Sequence, residues 1–167
     1  MGMAAIEISN LEKPMTSALS ETRRHCVQER VRWSDIDSSG IILWSAYTRL
    51  VEMAETELFR AVGFPYGSLW DRLDIWLPRV QFHLDFHSPV RLDELLDVEI
   101  WVSRIGRSSI RFELAMKKAD GQLAAEGYLI IVAISRTDGK SVDVPRPLVD
   151  ALAPYRIDTQ SPLSSDD

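Results

Sequence analysis

From residue 76 to residue 135, hydrophobic and polar positions alternate in runs that break at turn residues. A period of two marks half-buried strands. Within Trp76 to Phe86, Val80, Phe82, Leu84 and Phe86 oppose Arg79, Gln81, His83 and Asp85. Leu95–Ser103 and Ser109–Lys117 repeat the pattern on either side of "RIGR", and Asp120-Gly121 marks a hairpin tip. Leu123 to Ser135 reads as one long strand, whose "LIIVAI" centre predicts burial on both faces. Further upstream, Val27, Glu29, Val31 and Trp33 alternate with Gln28, Arg30 and Arg32, which predicts a first strand. Between Ala46 and Val62 the period becomes helical. Ala46, Tyr47, Leu50, Val51, Ala54, Leu58, Ala61 and Val62 form one stripe there. Ser45 is the candidate N-cap, and Gly63 with Pro65 supplies the stop. "GSLWDRL" predicts a further helical turn, and "VPRPLVDAL" a closing helix.

A strand, one long helix and four strands in an antiparallel meander predict an α+β fold with a sheet wrapped around the helix. One helix covers one sheet face, so the other face calls for a partner. A symmetric pair removes exposed apolar surface and sheet edges together. Residues 25–155 form the expected domain. Residues 1–24 read as a flexible arm and 156–167 as a disordered acidic tail.

The totals narrow the chemistry. A chain of 167 residues fits one domain, and its formal net charge of −6 argues against a nucleic-acid partner. Cys26 is the only cysteine, which excludes an intrachain disulfide and a Cys-rich zinc site. No apolar run approaches the roughly 18–20 residues that span a bilayer. The start lacks a secretory or myristoylation pattern. The expectation is a cytoplasmic protein without a membrane partner.

The chemistry concentrates in "WSDIDSSGIILWSAY". As a calcium loop it has Asp35, Asp37, Ser39 and Gly40 in place. The twelfth position, however, is Ala46 instead of a bidentate Glu. As a turn it needs one acid to bond the backbone, and Asp35 is the candidate. As a catalytic element it sets the carboxylate of Asp37 before a glycine turn and a helix N-terminus with unpaired N–H groups. Such a carboxylate can attack a carbonyl or activate water.

The stretch "WSDIDSSGIILWSAYTRLVEMAETELF" resembles the opening of the 4-hydroxybenzoyl-CoA thioesterase group of hot-dog-fold acyl-CoA thioesterases. The stretch "LPRVQFHLDFHSPVRLDELLDVEIWV" is similar to the second and third strands of that family, and the resemblance covers about Val27 to Leu148. It implies a curved antiparallel sheet around one helix, assembled as a homodimer or homotetramer. The implied activity is hydrolysis of an acyl- or aroyl-CoA thioester. Asp37 is then nucleophile or general base, and the helix N-terminus is the oxyanion site. Gly40, Trp44 and Tyr47 border the acyl pocket, with no metal and with coenzyme A as part of the substrate. Trp44 stands where the family usually places Tyr or His, and an indole cannot shuttle a proton.

Other residues carry two readings each. Glu52 and Arg49 either brace the site or are surface charges. Arg104, Arg107 and Ser108 offer either a cradle for the phosphates of coenzyme A or ordinary surface charge. His83, Asp85 and His87 share one strand face, but the two histidines stand roughly 13 Å apart, too far for one metal. The five Trp read as core and pocket walls. A dehydratase would need a His at the start of the helix, which is absent. The remaining alternative is a non-catalytic acyl-CoA-binding module.

Overall fold

The computed structural model describes residues 23–157. The readings for residues 1–22 and 158–167 lie outside the described residues. Arg24 is described and packs onto the body, with its guanidinium 2.7 Å from Glu99. At the other end the Ile157 N–H donates to the Val102 carbonyl at 2.8 Å.

The elements in chain order are β1 (His25–Arg30), α1 (Ala46–Ala61), α2 (Tyr66–Leu73), β2 (Ile75–Trp76) and β3 (Arg79–Phe86). Then follow β4 (Leu95–Ile105), β5 (Ser109–Lys118), β6 (Leu123–Val132), β7 (Ile134–Ser135) and α3 (Arg146–Leu152). Helix α1 ends within a residue of the stop read from the sequence, and Gly63 takes the left-handed φ of 81° there. Its inner side packs Tyr47, Leu50, Val51, Ala54, Leu58 and Phe59 against the sheet. The sheet answers with fully buried Val98, Ile100 and Val102 of β4 and Ile110, Phe112 and Met116 of β5. This is the α+β arrangement that the pattern predicted.

Strand order corrects the meander. The main sheet runs β1-β4-β5-β6-β3 and is antiparallel throughout, so β3 lies beside β6 and not beside β4. Alternation fixes which residues of a strand share a face but carries no information on its neighbour. Close approach of β3 and β6 requires Gly127, where a methyl group would collide with the His83 carbonyl. The expected strand from residue 76 to residue 86 is broken at Leu77-Pro78. The expected strand from 123 to 135 is broken at Ala133, whose N–H donates to the Ser108 carbonyl. The detached pieces, β2 and β7, pair with each other.

Burial on both faces of β6 is also corrected. Leu129 and Ile131 are buried, whereas Ile130 and Val132 are half-buried. Charged residues on the outer face pair with one another. Lys117 and Arg24 converge on Glu99, and Arg111 bonds Glu113 at 2.6 Å while lying 3.7 Å over the Tyr128 ring. A bulge between Arg79 and Gln81 changes the face of one residue. It sets Arg79 opposite buried Ile131, on the helix side, away from the outward set the alternation gave it. Strand β1 stops at Arg30, and Trp33 lies in a short 3-10 turn with 80% of its surface exposed. Trp44 and Trp76 are exposed as well, and Trp70 and Trp101 are half-buried, so no Trp belongs to the core.

Candidate active site

The two acids of "DIDSSG" have separate surroundings. Asp35 is buried and its Oδ2 accepts from the Arg32 N–H at 3.0 Å and from Arg49 Nη2 at 2.6 Å. Arg49 also reaches Glu29 at 3.1 Å, so it ties the loop to α1 and β1. Asp35 is therefore the turn acid, as its sequence context indicated. Around it, Leu43 donates to the Asp35 carbonyl at 2.7 Å and Ile42 to the Val90 carbonyl at 2.9 Å. Bridges Ile36 to Ile42 and Ile41 to Arg91 close the loop.

Asp37 sits at the tip of that loop. Its N–H donates to the Ile41 carbonyl at 2.9 Å. Oδ1 accepts from the Ser39 hydroxyl and from the Ser39 N–H at 2.7 Å. The other carboxylate oxygen carries no protein hydrogen bond among the described residues. The Ser39 hydroxyl and N–H hold the carboxyl below its usual range, so it is ionised near neutral pH. Gly40 supplies the turn through a φ of 77°, and its own N–H is taken by the Asp37 carbonyl at 3.1 Å. Gly40 thus shapes the loop, with its N–H engaged inside the turn.

Helix α1 starts directly behind this loop. The Ala46 N–H is engaged by the Leu43 carbonyl and the Thr48 N–H by the Ser45 carbonyl. Among the described residues the N–H groups of Trp44, Ser45 and Tyr47 have no hydrogen-bond acceptor. Ser45 makes no side-chain cap. These donors, with the positive end of the α1 dipole, suit a developing negative charge. Beside them lies a cavity of about 300 Å³ lined by Ile41, Ile42, Trp44, Tyr47, Phe86 and His87. Tyr47 packs its ring 4.9 Å from Phe86, and burial pushes its hydroxyl pKa up to about 12. Trp44 lines the cavity from the rim, with 74% of its surface exposed.

Glu52 stands further along α1. It lines a second cavity, of about 390 Å³, together with Thr48, Val51, Glu55, Arg79 and Phe82. Arg104, Arg107 and Ser108 lie at the β4–β5 hairpin, whereas the Asp37 loop adjoins residues 90 and 91 before β4 begins. The length of β4, roughly 30 Å at strand rise, separates them within one chain. Arg107 is exposed and pairs with Asp143 at 3.1 Å. His83 pairs with Asp85 at 3.0 Å on β3, and His87, just past the end of β3 and lining the first cavity, with Glu126 at 3.1 Å. Among the described residues no group of three His, Cys, Asp or Glu side chains is placed to share a metal ion. None of the described helices is long and apolar enough to cross a membrane.

The sequence reading passed over Glu55. It is buried at 1% exposure, with Oε2 taken by Arg79 Nη2 at 2.7 Å and Nε at 3.2 Å. Burial raises its pKa, against the lowering effect of Arg79 and Tyr66. The available signal was a Glu four residues after Val51 and four before Phe59, inside an apolar stripe.

Known proteins are similar to this chain in sequence or in fold. The acyl-CoA thioester hydrolase YbgC of Escherichia coli is 23% identical over 120 residues, 72% of this chain and 89% of that protein. The crystal structure of Slr0204, a 1,4-dihydroxy-2-naphthoyl-CoA thioesterase from Synechocystis, superposes with a TM-score of 0.73. It is 18% identical and covers 78% of this chain and 96% of its own. The protein SAV2348 from Staphylococcus aureus, solved in complex with CoA, superposes with a TM-score of 0.77 at 15% identity, over 89% of this chain and 94% of its own. The family model of the thioesterase-like superfamily matches residues 31–152, and the chain belongs to that superfamily, with its hot-dog fold.

Proposed function

We propose that the protein hydrolyses an acyl- or aroyl-CoA thioester with Asp37 as the nucleophile. One observation carries the reading. The Asp37 carboxylate has one oxygen fixed by Ser39 and the other open, in a loop that leads straight into free N–H donors at the start of α1. The open oxygen attacks the thioester carbonyl carbon. The carbonyl oxygen becomes an oxyanion held by backbone N–H groups of Trp44 and its neighbours. Collapse expels the CoA thiolate and leaves an acyl anhydride on Asp37, which water hydrolyses to the free acid and the carboxylate. The lowered pKa favours this role over general-base catalysis, because an efficient base titrates near the operating pH. Trp44 shapes the pocket rim and moves no proton. Coenzyme A enters as part of the substrate.

The working unit in this proposal is a homodimer joined along β3. That strand is a sheet edge, and it exposes Val80, Phe82 and Phe86, at 55%, 43% and 54%. Antiparallel pairing of two β3 edges about a two-fold axis covers both cavities. It also carries the Arg104–Ser108 hairpin of one copy to the Asp37 end of the other, where the phosphates of coenzyme A would need basic residues.

The test is thiol release from a panel of acyl- and aroyl-CoAs by wild type and Asp37→Asn. Turnover by wild type that falls by about a hundredfold or more in the variant supports the reading. Equal release from both removes Asp37 as nucleophile, and none from wild type points to the acyl-CoA-binding module.

A further inference from the structure

The cavity around Glu55 has no part in the scheme above, yet its chemistry is specific. Glu55 Oε1 is buried and has no hydrogen-bond partner among protein groups, while Oε2 is held by Arg79. The side chain is almost wholly buried and lines the cavity of about 390 Å³ with Thr48, Val51, Glu52, Arg79, Phe82 and Leu129. Arg79 is itself fixed, with Nη2 also 3.0 Å from the Tyr66 hydroxyl. An apolar stripe gains nothing from a carboxylate at this position, and a buried acceptor left unpaired is costly. The oxygen is therefore an unsatisfied acceptor within the wall of a space large enough for a ligand group.

The two cavities are separate but lie along the same two elements, α1 and β3. Tyr47 and Phe86 line the first, and Thr48 and Phe82 line the second. Each pair joins one residue of α1 to one of β3, and Tyr47 and Phe86 are in ring contact. Glu55 lies eight residues beyond Tyr47, about 12 Å along the helix. A group of that length that reacts at the helix N-terminus and runs along α1 reaches the level of Glu55.

We propose that Glu55 is a specificity-determining residue, which selects acyl groups bearing a hydrogen-bond donor, a hydroxyl or an ammonium, at their distal end. This rests on the thioesterase reading above. A terminal carboxylate is disfavoured, since it would face both Glu52 and Glu55 against one guanidinium already engaged. A plain alkyl end fills the space but leaves Oε1 unpaired.

The experiment compares decanoyl-CoA with its ω-hydroxy, ω-amino and ω-carboxy analogues. Thiol release is measured on wild type, and Kd by calorimetry on Asp37→Asn. The expected result is about a tenfold preference for the hydroxy and amino esters over the plain ester, in both kcat/KM and Kd. Glu55→Met brings both ratios to near one, and Glu55→Gln removes the amino preference while keeping part of the hydroxy preference. Equal handling of all four esters by wild type, or a preference for the ω-carboxy ester, overturns the proposal, even if neither Glu55 variant folds. Turnover without ranking sinks the subsite and leaves the thioesterase reading intact. No turnover sinks the thioesterase reading, and the Kd ranking on wild type then decides the subsite, where equal or absent binding counts against it.

Discussion

Replacing Asp35 by Ala separates the two acids of the loop by their effects. Asp35 is 4% exposed and holds two donors, the Arg32 N–H and Arg49 Nη2. The Arg49 bond is charge-assisted, but its side chain is 33% exposed, so about 1.5 kcal/mol is appropriate, the low end for such bonds. The backbone bond resembles a helix cap and adds about 1 kcal/mol. The total, about 2.5 kcal/mol, lowers Tm by about 5–10 °C for a chain of this length. Thermal unfolding followed by circular dichroism reads the shift. Asp37→Ala serves as the control, because its carboxylate bonds only within its own turn and Tm should match wild type. If Asp35→Ala melts like wild type while Asp37→Ala melts early, the assignment of roles is reversed and the reasoning fails.

Three further outcomes can be checked. Ser39→Ala removes the hydroxyl that contributes most to lowering the Asp37 pKa, so the acid limb of kcat/KM moves to higher pH, as a pH–rate profile would show; an unmoved limb counts against Asp37 as the titrating group. Arg79→Met leaves Glu55 without its countercharge. The folded pKa of Glu55 already lies above its ordinary value, so its contribution to stability is full at acidic pH and is lost as pH rises through that folded value. Without Arg79 the loss deepens, to about 2 kcal/mol at neutral pH after discounting for the exposure of Arg79, and little is lost near pH 4, which urea titrations at the two pH values measure. Val80→Lys with Phe86→Asp puts charge on the β3 edge and converts a dimer to monomer in light scattering; a dimer that survives has its seam elsewhere.

The sequence made local chemistry visible and left distant pairings hidden. Helix α1 was legible because its stripe and Gly63 act within a few residues. The same holds for the Asp120-Gly121 hairpin, where Gly121 takes a φ of 84°, and for Asp35, whose backbone partner is three residues away. The place of β3 beside β6 was hidden, because nothing in an alternating strand encodes its neighbour. Arg79 was assigned to the wrong face because the bulge that turns it inward has no sequence mark. Glu55 was passed over because its partner is 24 residues away and on a different element. Asp37 and its glycine were legible as a motif. Which N–H groups behind them stay free depends on the carbonyls of Leu43 and Ser45, and these are a matter of folded geometry.

The position of β3 at the rim of the sheet also orders events during synthesis. Its partner β6 emerges only after β4 and β5, whereas β4, β5 and β6 pair as consecutive hairpins. Local pairings form early, and pairings that close long loops form late. A nascent chain therefore carries Val80, Phe82 and Phe86 unprotected until translation has passed residue 132, and even the finished monomer shields only one side of that strand. Slow release from the ribosome would prolong the exposure of a strand well suited to mispairing with its own kind.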